Sequence, residues 1–304
     1  RRSLGSLPPG VMFRGLPGRQ TAGDSPLQIV PLGAEDVSRL RRPLNSWFNL
    51  ASLRDHLEQN PRLAWRVQGT DEYIVGGSWR RRNEIGSVDE LAGRRHRALL
   101  LDRIIEVFRA QQRALIVLGY REQEEALPFY RYNGFDQIDE IVRYEKPNTV
   151  VSAEDPPGLE IRRFRLEDLE DVVAADHDSF TWLWWNSAAE FLWYAALPEV
   201  TIRIGVAGGR IVGYAGYTLH EREGHLDRLA VASPYQGRGF GRALLSDTLR
   251  LLGAASARRV ALTTQVDNTS AQALYEQYGF RRTSIRHAIY GYWLESRPHG
   301  LPSP

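Results

Sequence analysis

The chain has no cysteine, which excludes disulfides, thiolate nucleophiles and cysteine-ligated metals. It has one methionine, Met12, and one lysine, Lys146, so all but one of its 39 basic residues are arginine. No apolar run approaches the ~20 residues that cross a bilayer as a helix, and no membrane partner is expected. Neither sign of charge is in excess. The 39 basic and 37 acidic residues leave a net +2, which argues against a general nucleic-acid binder. What is present is 304 residues, 42% of them hydrophobic, enough for one large or two ordinary domains.

Residues 1–26 are rich in Gly, Pro, Ser and Arg and read as a disordered leader. They lack the apolar core of a secretory signal, and a cytoplasmic location is expected. Met12 is a candidate start.

The most informative stretch is Gln236-Gly237-Arg238-Gly239-Phe240-Gly241. An apolar strand-like run from His225 to Ala232 precedes it, and a helix-like run from Arg242 follows. Glycines let a backbone approach a phosphate closely, and unpaired N–H groups at a helix start point at it. A second strand-like run, Val260–Val266, leads to Asn268, Ala271 and Tyr275 at spacings of three and four, closed by Gly279-Phe280. Asn268 or Ser270 can cap that helix and Gly279 can end it.

Together, Gln-x-x-Gly-x-Gly, Asn-x-x-Ala-x-x-x-Tyr and Gly-Phe resemble the GNAT superfamily of acyl-CoA-dependent N-acyltransferases over roughly residues 159–294. The resemblance implies acetyl-CoA as co-substrate, no metal, and direct attack by a primary amine. Gln236, Gly237, Arg238, Gly239, Phe240, Gly241 and Arg242 would hold the CoA pyrophosphate. Leu229, Ala230 and Val231 would run beside the pantetheine arm, with a main-chain N–H, that of Val231, polarising the thioester carbonyl. Asn268 would contact the arm, or serve only as a helix cap, and Ala271 would leave it room. Tyr275 would protonate the departing thiolate.

The base candidates are Asp227 and His225, two apart on one strand and so on one side; both also suit a polar strand edge. Arg228 points the other way. Phe180, Trp182, Trp184 and Trp185 are candidate acceptor-binding aromatics, with packing between domains as the competing reading. The acceptor would be a small-molecule amine or a peptide N-terminus. The alternative function is a non-catalytic CoA-sensing or protein-interaction module.

The two halves are weakly similar. Ile74-Val75-Gly76 matches Ile211-Val212-Gly213 at an offset of 137, and Ala126, Tyr130 and Gly134-Phe135 match Ala271, Tyr275 and Gly279-Phe280 at 145. The fold class expected is therefore α/β with a mixed sheet: two tandem GNAT-like domains, each a mixed central sheet flanked by helices, similar in layout to mycothiol-synthase-like proteins. The expected divisions are 27–146 for a degenerate amino-terminal domain, 147–158 for a linker, 159–296 for the catalytic domain and 297–304 for a tail. The molecule would be a monomer with an internal pseudo-dimer, or a homodimer. In the amino-terminal half the interval Arg80–Gly93 shows no apolar strand leading into a phosphate loop, so the cofactor site is expected to be lost. Arg80–Arg82 reads as a solvated loop.

Overall fold

The computed structural model describes residues 27–294 apart from 41, 43–45, 47 and 152–157. The expected leader and tail, and the middle of the expected linker, lie outside these residues. The amino-terminal half runs β1 (Ile29–Pro31), α1 (Leu50–Gln59), β2 (Ala64–Val67), β3 (Tyr73–Ser78), β4 (Ile85–Ala92), α2 (Arg97–Ala110), β5 (Leu115–Leu118), α3 (Tyr120–Tyr132) and β6 (Asp136–Lys146). The second half runs β7 (Leu159–Arg163), α4 (Leu169–Ser179), α5 (Ala188–Ala195), β8 (Val200–Ala207), β9 (Arg210–His220), β10 (Glu223–Val231), α6 (Phe240–Ala254), β11 (Arg259–Gln265), α7 (Thr269–Gln277) and β12 (Arg281–Trp293).

In both halves a hairpin meander gives way to a helical crossover, which produces a mixed sheet with one parallel step. That step is β4 to β5 in one half and β10 to β11 in the other. Apolar stripes of α2 and α6 cover their sheets. Leu100, Ile104 and Phe108 are fully buried on α2, and Leu244, Leu245, Leu249 and Leu252 on α6. Among the described residues no helix is long and apolar enough to cross a membrane.

Strand β4 corrects the sequence reading, which saw no strand in this interval. Ser87, Asp89 and Glu90 interrupt its apolar residues, yet Ile85 and Val88 are wholly buried and Leu91 nearly so. Pairing on both edges makes it a strand despite its polar residues.

The halves do not keep separate sheets. All twelve strands form one sheet in the order β1-β2-β3-β4-β5-β12-β6-β11-β10-β9-β8-β7. Strand β6 of the first half pairs with β11 of the second, and β12 of the second pairs with β5 of the first. Each half thus gives its last strand to the other, and the two exchanged strands pair with each other. A junction core follows, in which Ile85, Leu115 and Val117 pack with Leu183, Trp184 and Ile289.

Candidate active site

Strand β10 pairs with β11 only from Glu223 to Leu226. Beyond that point the two diverge and open a cleft. On its other edge β10 stays paired with β9 as far as Val231, with a bulge at Asp227. Ala232 donates its N–H to Val212 across that edge at 3.0 Å. Backbone groups alternate sides along a strand, so the N–H and C=O groups of Val231 and Leu229 face the cleft. The Val231 carbonyl there accepts a hydrogen bond from the Gln236 side-chain amide at 2.9 Å.

The loop from Gln236 leads directly into α6. Gly237 and Gly239 adopt φ of 74° and 86°, a region costly for any residue with a Cβ. Gly239 occupies the cap position of α6, where no side chain bonds the first N–H groups. An uncapped start of a 15-residue helix beside two open glycines favours an anion. The Gln236–Gly241 pattern thus forms a loop whose backbone lies open beside a helix start.

Asp227 sits on the bulge. Its Oδ1 lies 2.7 Å from His225 Nδ1, and its Oδ2 accepts from Thr218 Oγ1 at 2.6 Å and from the Tyr194 hydroxyl. The two base candidates therefore act as one hydrogen-bonded pair. Tyr194 reads in the sequence only as one of the acceptor-side aromatics and Thr218 is not marked at all: they arrive from α5 and β9, and nothing local ties either to Asp227.

Tyr275, on α7, is 6% exposed, and burial pushes its phenol well above its usual pKa. It packs edge-on to Phe280 and tilted to Tyr144, and its hydroxyl has no hydrogen-bond partner among the described residues. Tyr275, Asp227, Leu229, Asn268 and Ala271 all line one small cavity of about 70 Å³ in the cleft. Asn268 does two things at once. Its Oδ1 caps α7 by accepting from Ala271 N–H at 3.2 Å, and it also walls the cavity.

A larger cavity of about 690 Å³ adjoins, lined by Ser179, Phe180, Gln265 and Asn268 of the second half and by Asp139 and Glu140 of exchanged strand β6. The aromatic segment divides between the two readings. Phe180 and Trp184 reach the cleft cavity. Trp182 stacks on Trp293 and Trp185 on His177, and both rings take Arg82 of the first half over their faces; these two pack the junction. Trp184 also donates its indole N–H to Asp139, and burial raises the pKa of that carboxyl.

The solvated-loop reading of Arg80–Arg82 is corrected. Arg82 is 4% exposed, donates to the Trp182 carbonyl and lies 4.7 Å from the Trp182 ring centroid. Arg81 lies over Trp193 and Arg80 over Trp184. The tryptophan faces that receive them belong to the other half, so no sequence window shows the contact. Arg228 is buried as well. It pairs with the fully buried Asp176 at 2.6 Å, donates to the Trp184 carbonyl at 2.7 Å and covers Phe180 at 3.9 Å.

The corresponding cleft of the first half is filled by its own carboxylates. Its strands β4 and β5 part after Val88, and a bulge stands at Asp89, as at Asp227. There Glu122 accepts from Leu91 N–H at 3.0 Å and from the Tyr130 hydroxyl at 2.6 Å. At the start of α2, Glu72 accepts from the N–H groups of Arg94, Arg95 and His96 at 2.8, 2.8 and 2.7 Å. Internal anions take the donors that the second half leaves open.

Residues 161–280 match the family described as acetyltransferase (GNAT). A putative ribosomal protein bS18-alanine N-acetyltransferase of Bacillus subtilis is 28% identical over 133 residues, covering 43% of this chain and 85% of that protein. A mycothiol acetyltransferase of Clavibacter michiganensis is 25% identical over 239 residues, 72% of this chain and 77% of that one. Several other relatives are matched over about half of their length or less. A solved tandem GNAT protein from the clavulanic acid biosynthesis pathway shares the fold with a TM-score of 0.55 at 16% identity, over 90% of this chain and 100% of that one.

Proposed function

We propose that this chain, similar to the GNAT family over residues 161–280 and to a tandem GNAT protein in fold, is an acyltransferase that transfers an acetyl group from acetyl-CoA to a primary amine by direct attack within the β10–β11 cleft. The observation that carries this reading is the convergence of Asp227, Leu229 and Tyr275 on one cavity, on a strand whose open edge continues to Val231 and leads to an uncapped helix start. Acetyl-CoA supplies the activated acyl group. The residues present fit it: Gly237, Gly239 and the first N–H groups of α6 would receive the pyrophosphate. The free N–H groups of Leu229 and Val231 would receive the arm and polarise its carbonyl.

The amine must attack with a lone pair. Asp227 and His225 together would take its proton, with Tyr194 and Thr218 fixing the carboxylate. Tyr275 is held protonated by its burial and would donate to the departing thiolate. Phe180 and Trp184 would bound the acceptor at the mouth, while Trp182 and Trp185 hold the junction that positions them. The larger cavity would admit a small-molecule amine or a peptide N-terminus. In the amino-terminal half, Glu72 and Glu122 stand where a cofactor would compete, so one CoA per chain is expected.

Titration calorimetry with acetyl-CoA, paired with an amine screen, tests this. One site is expected. Tyr275→Phe is expected to keep CoA affinity and lose acetylation by roughly 10²-fold, the lower range for a general acid. Binding without turnover of any amine would leave a CoA-sensing module; two sites would show that the first half still binds.

A further inference from the structure

A second large cavity, apart from the cleft, has no part in this chemistry. It lies at the opposite end of the sheet, where the first residues of β10, β11 and β12 meet the last of β6, and measures about 780 Å³. Strand β11 spans the distance between the two ends. Its six residue steps at ~3.3 Å put the cavity about 20 Å from the acyl cleft.

Six cations line it: Lys146, Arg222, Arg258, Arg259, Arg281 and Arg282. Three glutamates share the wall, but two are already engaged. Glu223 pairs with Arg259, and Glu145 pairs with Arg143 at 2.7 Å. Arg222, Arg258, Arg281 and Arg282 have no ion pair or side-chain hydrogen bond among the described residues.

Lys146 is the decisive residue. It is only 6% exposed, yet its side chain has no hydrogen bond or ion pair among the described residues, and it lines the cavity. Lysine is almost never buried without a partner, because desolvating an ammonium is costly. Its Nζ lies beside Gly279, where a Cβ would come within 3.2 Å; glycine there leaves the space the ammonium occupies. Every other basic residue of the chain is arginine. The chain's one lysine, a compact point charge, stands on this wall.

We propose that this cavity binds a small anion bearing two or more phosphates, with Lys146 as its buried counter-charge and Arg222, Arg258, Arg281 and Arg282 closing over it. The volume suits a small ligand. Four unpaired guanidiniums with one ammonium exceed what a single carboxylate would balance, and Arg and Lys are the usual phosphate partners. The wall glutamates would oppose an extended nucleic-acid backbone running past the cavity.

The test uses the single lysine as a reporter. The full chain grown with lysine labelled at Cε with carbon-13 gives one lysine resonance. It is titrated with inorganic pyrophosphate and with ATP while CoA is held in excess, so that the α6 loop is occupied. Binding of pyrophosphate at that loop would register as competition with CoA and would leave Lys146 unmoved, which separates this site from the transferase reading. The expected result is a saturable shift of the Lys146 signal. The double variant Arg258→Gln with Arg282→Gln, both exposed, should weaken it at least tenfold, about 1.4 kcal/mol, with unchanged melting temperature and CoA binding. A signal that stays still, or drifts linearly with ionic strength, overturns the proposal. A shift produced only by an RNA oligonucleotide overturns the small-anion assignment.

Discussion

Glu72 does at one residue what a ligand would do. Burial alone would raise its pKa, but the N–H groups of Arg95, Arg94 and His96, with the His96 ring, outweigh burial and hold it at about 2 against an ordinary 4.5. The folded value lies below the unfolded one, so the stabilisation is complete above pH 4.5 and fades as pH falls from 4.5 towards 2. The shift corresponds to about 3 kcal/mol. Glu72→Gln is expected to lose up to that amount at pH 7 and to flatten the decline of wild-type stability over this window, read from urea unfolding at stepped pH. Nothing in the sequence marks Glu72: its donors come 22 to 24 residues later. Asp227 and His225 were legible because two residues apart on a strand share a side, whatever the fold. Their partners Tyr194 and Thr218 reach them only through tertiary contact. Arg80–Arg82 looked solvated because their π-faced partners lie some hundred residues away.

Elements carry the cradle proposed for the cofactor. A strand, a glycine loop and a helix start were readable in order, since period-two and period-3.6 patterns meet there without interruption. The divergence of β10 from β11 was not readable, because it depends on where pairing stops, and pairing is not written in either strand alone. The cradle depends on left-handed backbone at Gly239. Gly239→Ala would place a Cβ at φ 86°, a strain of about 1–2 kcal/mol, at the residue that aims the first N–H groups of α6. CoA affinity is expected to fall about tenfold with near-wild-type circular dichroism, measured by calorimetry. Equal affinity would mean that those N–H groups do not hold the pyrophosphate.

At the scale of the molecule, the duplicated layout was legible from offsets of 137 and 145, but two self-contained sheets were the natural expectation and one shared sheet is what forms. Which strand pairs with which is a long-range choice, and β6 and β12 present pairing edges to either half. The consequence is testable. Residues 159–294 alone would lack β6, leaving β11 an unpaired edge and removing Asp139, Glu140 and Ile141 from the two cavities. That fragment is expected to aggregate or to lose CoA binding, as judged by size-exclusion chromatography and calorimetry. Co-expressing 27–146 should restore it, since exposed edges seek partners.

The exchange of β6 and β12 also bears on how such a chain could arise. Fusing two independent folds end to end would require both terminal strands to leave their sheets together, through a state that satisfies neither. A pair of separate copies that already traded strands needs only a tether, and keeps every hydrogen bond it had.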